Sequence, residues 1–253
     1  MKKSIGSIFL AVVFLIVLLS GCAPAPTPIP PTFTPLPTKT PLPTKTPIPD
    51  KPPEIQIYIS PFYDSDGPKI DVGNYSKELS ASNIDELLPV IKKMMENKAS
   101  VTPEQMFVAA IRLYEYNAKD EAVYWFYEAQ FRARLFSAAL DKDKIGGIGS
   151  KAFELDSAYG AFHELAGPYL NGYAGCDLDN WIRIIHNVQN DNKTAPDLSP
   201  IFPDVSFMPR DGWQALNDEI SSGMNQLVDS IEQARSTWKQ QRAANNLDEI
   251  YCK

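Results

Sequence analysis

The sequence predicts a mainly α-helical domain, a helical bundle with one antiparallel helical hairpin and a small N-terminal β-hairpin. From Asn83 onward, apolar residues recur at spacings of three and four, which is the period of an amphipathic helix. Capping residues and short connections divide this stretch into separate helices. The strict apolar and polar alternation of a strand is confined to the start of the domain.

Two short segments near residue 60 carry the strand pattern. Glu54–Ile59 and Lys69–Val72 alternate apolar and polar residues, and residues 64–68 between them are rich in turn formers. The pair therefore predicts a β-hairpin. Because an isolated hairpin is only marginally stable in water, this one is expected to pack against the helices.

The first helix is predicted over Ile84–Lys98, with Ser82 or Asn83 as its cap. Pro89 falls inside this range, and a proline removes a backbone donor and clashes with the preceding turn. We therefore expect the helix either to kink at Pro89 or to start there.

The next two helices are predicted to form an antiparallel hairpin. Thr102-Pro103-Glu104-Gln105 is a capping box with proline at the first helical position, so a helix should run from there to about Tyr116. After a short turn, Asp120 should cap a third helix that reaches about Leu140. So short a connection requires the two helices to lie antiparallel.

The third helix is apolar on nearly all sides, which is typical of a central bundle helix or of a helix that borders a groove. One of its stripes contains Tyr124, Tyr127 and Phe131. A tyrosine hydroxyl needs a hydrogen-bond partner, so the two tyrosines favour a wet groove. These three residues are the candidate binding groove, and the alternative is that the helix is simply the core helix.

The C-terminal half of the domain predicts three more helices. One covers Ser150–Leu165 and should be stopped by Gly167-Pro168, and the next should be capped by Asp177 or Asp179. Residues 190–210 are polar and broken by proline, which predicts a surface loop.

The last predicted helix has the strongest period in the sequence. Its apolar stripe starts after an Asp211 cap and continues to Trp238, with Gly223 as its one weak position. A narrow stripe of this kind packs along the bundle or pairs with a second chain as a coiled coil. Packing within the chain is the interpretation that we favour.

One part of the predicted hairpin matches a repeat pattern, with Leu and Tyr on its first helix and Ala, Trp-aromatic and Ala on its second. The matching residues are Leu113, Tyr116, Asp120, Ala122, Trp125, Phe126 and Ala129. Residues 106–133 thus resemble a single Sel1 or tetratricopeptide repeat, which implies helix packing of that type and a protein-binding role. No second copy follows at the repeat period, so a solenoid is not expected.

The first 22 residues combine positive charge, an apolar run and a cysteine. Two lysines precede the apolar run Ile8–Leu19, which ends at Leu19-Ser20-Gly21-Cys22. These residues closely resemble a bacterial lipoprotein signal. The resemblance implies that residues 1–21 are removed and that Cys22 carries lipid. It also implies a protein held outside the cytoplasm at the cell membrane or the outer membrane. The alternative, an uncleaved membrane anchor, needs about 20 apolar residues, and the run is shorter.

Residues 22–53 contain proline at nearly every second or third position, and the hexapeptide Thr-Pro-Leu-Pro-Thr-Lys occurs twice. Such a segment favours extended polyproline II and builds neither helix nor sheet. We expect a linker that holds the domain away from the lipid. A proline-motif ligand and a glycosylated stalk are the alternatives.

Residues 54–253 remain as one domain, and this domain is acidic. The chain carries a net charge of −7, and removing the two positive charges of the signal and the net two of the linker leaves −11. Phosphate backbones and anionic head groups repel such a surface, so nucleic acid is not an expected partner. A protein partner is compatible with the charge.

Two cysteines remain once Cys22 is assigned to lipid. In an oxidising compartment, Cys176 and Cys252 are a candidate disulfide, and a pair of buried thiols is the alternative.

The residues offer little support for catalysis. His163 and His186 are the only histidines, and they lack the spacing of a metal site. We therefore expect no catalytic residue, no metal and no cofactor. The sequence favours a binding or interaction module. The alternatives are an immunity or inhibitor protein for a secreted enzyme, and a hydrolase of envelope polymers that would need two facing carboxylates.

Overall fold

The computed structural model of the protein describes residues 55–57 and 69–253. The predicted signal, Cys22, the predicted linker and the predicted turn of the β-hairpin lie outside the described residues. Eight α-helices and two short strands occupy the described part. The elements are β1 (Ile55–Gln56), β2 (Lys69–Ile70), α1 (Ser76–Leu79), α2 (Ile84–Glu96), α3 (Pro103–Glu115), α4 (Lys119–Ala139), α5 (Lys151–Ala174), α6 (Leu178–Asp191), α7 (Trp213–Ala244) and α8 (Leu247–Tyr251). The predicted class, a mainly α-helical bundle, is confirmed.

The two strands pair antiparallel, with Ile55 opposite Ile70 and Gln56 opposite Lys69. Ile55 is buried in the same core as the helices, and β1 lies against α1. This packing supplies the support that a lone hairpin lacks.

Local hydrogen bonds explain the α3–α4 hairpin. The Thr102 hydroxyl accepts from the Gln105 backbone N–H, and the Gln105 side chain accepts from the Thr102 N–H, as the capping box predicts. At the other end of α3, Asn117 has a φ of 64°, and the Ala118 N–H bonds to the Leu113 carbonyl at 2.9 Å. This is a Schellman motif, in which a residue in the left-handed region reverses the chain.

The prediction that Asp120 caps α4 is wrong, because the Schellman turn already fixes the start of the helix at Lys119. The Asp120 carboxylate instead accepts hydrogen bonds from Tyr173 and Asn180, on the two following helices. It still lies in the first turn of α4, where a negative charge is favourable.

Helix α4 is the centre of the bundle, since it packs against α3, α5, α6 and α7. Its apolar residues are buried on nearly all sides, as expected for a helix without a single polar face. Phe126, for example, contacts the rings of Phe107 on α3 and His163 on α5.

The predicted stop at Gly167-Pro168 is wrong, because α5 continues to Ala174 with Pro168 inside it. Beyond the proline, Leu170 and Ala174 are buried, and this burial offsets the one lost backbone hydrogen bond. Helix α2 likewise neither starts nor stops at Pro89, and the Asn83 side chain caps it.

Helix α7 is preceded by a 3₁₀ turn over Arg210–Gly212, and it has no side-chain cap, so the predicted Asp211 cap is wrong. Trp213 fixes its start instead, since the indole is buried and donates to the Met208 carbonyl at 3.1 Å. None of the helices within the described ranges is long and apolar enough to cross a membrane.

Candidate functional site

The predicted groove of Tyr124, Tyr127 and Phe131 does not form. Phe131 is fully buried and Tyr127 is 4% exposed, whereas Tyr124 is half-buried and lines a different concavity. The three side chains lie on one stripe of α4, but α4 is enclosed by four helices, and so different neighbours cover different parts of this stripe. The Tyr127 hydroxyl donates to Asn171 and accepts from the Trp181 indole, both at 2.9 Å. Its hydrogen-bond partners are thus internal to the protein, and they come from α5 and α6.

One concavity lies beside this position, between α3, α4 and α5. It has a volume of about 610 Å³ and shares three lining residues with a smaller space of about 300 Å³ bordered by α6 and α7. Gln130, Arg134 and His163 line both parts. We call the two parts together the α4–α5 cleft.

The antiparallel packing of α4 and α5 orders the groups along this cleft. Ser137 donates to Asp156 at one end, and Tyr127 meets Asn171 at the other. Gln130 and Arg134 lie between these contacts on α4. Because they are four residues apart, their side chains lie on the same face of the helix.

Gln130 is the unusual residue of the cleft. Its side chain is 7% exposed, and its Nε2 atom is buried without a hydrogen-bond partner among the described residues. An unsatisfied buried donor costs about 1–3 kcal/mol, so native structures seldom contain one. Gln130 lines the cleft, so a rotation of its amide would bring this donor to an acceptor bound there.

Arg134 supplies positive charge at the same place. Within the described part of the chain it makes no ion pair, whereas Arg112, Arg132, Arg235 and Arg242 each pair with a carboxylate. Asp156 and Lys142 also line the wider part of the cleft. The cleft therefore has a small net positive charge in a domain that is strongly negative.

Burial lowers the pKa of His163 below its usual 6.5, and the positive charge of Arg134 lowers it further. The imidazole is therefore neutral at pH 7. Its ring is stacked on Phe126 with a centroid distance of 6.0 Å, which holds it at the wall of the cleft. A charge bound in the cleft should therefore change the pKa of His163.

The same wall is fixed one turn earlier on α5 by a hydrogen bond from Tyr159 to Glu104 on α3, at 2.9 Å. Burial, together with this neighbouring carboxylate, raises the pKa of Tyr159. The phenol therefore stays protonated, and with the Phe107 ring it gives the wider part an aromatic surface.

Two glycines inside helices leave room in the cleft. Gly160 on α5 lines the wider part and Gly223 on α7 lines the smaller part, and a Cβ atom at either position would meet nothing within 4 Å. Glycine in a helix interior costs about 0.5–1 kcal/mol relative to alanine. Helix packing does not require glycine at either position, since no neighbouring atom occupies the space where a Cβ atom would lie.

Gly160→Ala should therefore raise the free energy of unfolding by about 0.5–1 kcal/mol. The matched control is Gly172→Ala on the same helix, where a Cβ atom would lie 2.7 Å from the Tyr251 ring. That variant should lose stability, because the ring or α8 must shift. Urea denaturation followed by circular dichroism measures both. A loss of stability in Gly160→Ala would show that the space is needed by the fold itself.

A second concavity, of about 410 Å³, contains Tyr124, Glu121 and Asp191. The Tyr124 hydroxyl donates to Asp191, and Lys98 donates to both, at 2.9 and 2.8 Å. Burial would raise the pKa of Asp191, but these hydrogen bonds outweigh it and hold the pKa below its ordinary value. The polar groups here satisfy one another, in contrast to those of the α4–α5 cleft.

The remaining predicted positions lie away from the cleft. Cys176 and Cys252 are joined by a disulfide with an S–S distance of 1.99 Å, which ties the C-terminus to the end of α5. His186 is exposed on α6 and contacts Gln189. Across residues 55–57 and 69–253, no group of three or more His, Cys, Asp or Glu side chains could hold a metal ion.

Sequence reasoning missed Gln130 and Arg134. The signal was present, since residues 130, 134 and 137 are polar at helical spacing within an otherwise apolar helix. A polar stripe on a helix usually faces solvent, and only the packing of α5 and α7 turns this one into a cleft.

Comparison with known proteins shows similarity to an uncharacterized protein. The chain is 26% identical over 210 residues to an uncharacterized protein of Haemophilus influenzae, and the match covers 78% of each chain. No protein-family model matches the sequence. No solved structure matches the chain.

Proposed function

We propose that this protein is a membrane-anchored extracytoplasmic lipoprotein whose helical domain binds a ligand in the α4–α5 cleft. The observation that carries the proposal is that two polar side chains lining the cleft lack partners in the described part of the chain. Among the described residues, the Nε2 atom of Gln130 is buried without a hydrogen-bond partner, and Arg134, one helical turn away, makes no ion pair. Two buried polar groups on another side of α4, Glu128 and Asn192, pair with each other.

The dimensions of the cleft support the same function. About 610 Å³ is within the range of small-molecule sites, which combine an apolar lining with a few well-placed polar groups. Phe107 and Tyr159 supply the apolar lining. Gln130, Arg134 and Asp156 supply the polar groups.

Native mass spectrometry of the full chain, purified from its own membrane in a mild detergent, tests the proposal. We expect a fraction of the protein to carry the added mass of a bound ligand. Gly160→Leu should lack this mass, because the leucine side chain would occupy the wider part of the cleft. Gly147→Leu, in an exposed loop, is the matched control. Equal adducts in both variants, or none in the wild type, would contradict the proposal.

The anchor is tested separately through Cys22. Cys22→Ser removes the only thiol that the lipoprotein signal offers for acylation, so the variant should carry no lipid. Mass spectrometry should show that the acyl mass is lost, and cell fractionation should show the protein no longer extracted as a lipoprotein. The far-ultraviolet circular dichroism should not change, since the described domain begins well beyond Cys22. The double variant Cys176→Ser, Cys252→Ser serves as the control, because it removes the other two cysteines and should leave the lipid in place.

A binding site for a protein partner is a different form of the same proposal, with the partner inserting a side chain into the cleft.

The hydrolase is less well supported. Its general acid would need a raised pKa, whereas the pKa of Asp191, which shares a concavity with Glu121, is lowered.

A further inference from the structure

We propose that the ligand of the α4–α5 cleft is recognised through a carboxylate group, which Arg134 and the Gln130 amide bind together, while its apolar part lies against Phe107 and Tyr159. This inference rests on the proposed function, and it adds the chemical class of the ligand.

The first argument is the donor set. The buried Nε2 atom of Gln130 needs an acceptor, and the described chain provides none. Arg134 presents a planar set of N–H donors that matches a carboxylate in a bidentate geometry. Because residues 130 and 134 are one helical turn apart on the same face of α4, a rotation of the Gln130 amide would let both groups bind a single anion.

The second argument separates a carboxylate from a phosphate. Phosphate sites commonly use free backbone N–H groups at a helix N-terminus. Gln130 and Arg134 lie in the interior of α4, and Gly160 and His163 lie in the interior of α5, where the backbone N–H groups already bond within the helix. Asp156 lines the same cleft and repels a dianion more strongly than a monoanion.

The third argument concerns the rest of the ligand. Phe107 and Tyr159 are 1% and 4% exposed, and they line the wider part of the cleft. The Tyr159 hydroxyl is occupied by Glu104, so this surface offers a ring and not a free donor. Gly160 leaves space in front of it. A flat apolar group would fit this part of the cleft.

Benzoate is a suitable probe, since it joins one carboxylate to one apolar ring, and benzamide is its neutral counterpart. The chain has only two histidines, so labelling the Cε1 carbons with ¹³C gives one signal at the cleft and one on α6. The full chain in non-ionic detergent would be titrated at pH 7 and constant ionic strength, with His163→Gln to assign the signals. For so small a probe, a Kd on the order of millimolar is expected.

We expect benzoate to shift the His163 signal in a saturable manner and to raise the pKa of His163, because a negative charge then lies beside the ring. The His186 signal should stay unchanged. Arg134→Gln should weaken benzoate binding at least about tenfold. Arg134→Lys should recover part of the loss, and Gln130→Met should also weaken binding. Arg235→Gln, which removes the same charge outside the cleft, is the control.

The outcomes distinguish the two proposals. If benzamide shifts His163 as strongly as benzoate does, the cleft is a binding site but the carboxylate is not recognised. If inorganic phosphate displaces benzoate at equal concentration, the preference for a carboxylate is wrong. If Gly160→Leu binds benzoate as well as the wild type, the probe does not bind in the cleft. If benzoate leaves His163 unchanged while the wild type carries a native ligand, the ligand is of another class, and only the further inference fails.

Discussion

Replacing Glu128 by glutamine should lower the free energy of unfolding by about 3–5 kcal/mol, the usual cost of removing one partner from a buried ion pair. Glu128 is fully buried. Its two oxygens accept from Arg132 at 3.0 Å and from Asn192 at 2.7 Å, and the Lys98 ammonium lies 3.6 Å away. A neutral amide would leave Arg132, itself 3% exposed, without its counter-charge. The new Nε2 donor would also face the donor of Asn192 or of Arg132.

Urea denaturation of the variant at pH 7 measures this loss. Glu121→Gln is the matched control, because Glu121 is exposed on the same helix and makes no ion pair in the described part of the chain. Its effect should stay within about 0.5 kcal/mol. A loss below about 1 kcal/mol for Glu128→Gln would show that the network contributes little to the stability of the fold, against the expectation for a buried charge pair.

Removal of the disulfide should also lower the free energy of unfolding by a large amount. The double variant Cys176→Ser, Cys252→Ser should lose about 4 kcal/mol, because the bond joins residues 76 positions apart and restricts the unfolded chain. The native helices should remain, since α8 is also held by the contact of Arg242 with Asp248 at 2.5 Å and by Tyr251 against Gly172.

Denaturation with and without a reductant checks the origin of the loss. The reductant should destabilise the wild type by about the same amount as the double substitution. It should have no effect on the double variant. A reductant effect that persists in the double variant would mean that the loss comes from another source.

The features that were predicted correctly rest on local hydrogen bonds. The capping box at Thr102 and the caps at Asn83 and Asp177 each join a side chain to a backbone N–H three residues later. Such contacts depend on neighbouring residues alone, so the sequence specifies them directly.

The errors occur where distant packing outweighs local preference. Proline at position 168 should end a helix, but burial of the following turn against α4 carries α5 onward. For α4, the apolar pattern predicts a helix enclosed by others. It does not say which helix covers which part of the surface, and so it does not reveal that Phe131 is buried and that Tyr124 and Tyr127 line separate concavities.

The cleft itself depends on the same distant packing. Gln130 and Arg134 come from α4, His163 and Gly160 from α5, and Gly223 from α7, and only the folded chain brings them together. Of the two glycines, only Gly223 stands out in the sequence, as the one weak position of its helix. The open space beside them depends on how the neighbouring helices pack, which the sequence pattern does not specify.

The enclosure of α4 by four helices has a consequence for recognition. The Glu128 network lies on one side of this helix and the cleft on another, so the ion pairs resist rotation of α4 about its own axis. The cleft is thus shaped before any ligand arrives. The protein should therefore lose little conformational entropy on binding, and a small molecule should bind without a rearrangement of the helices.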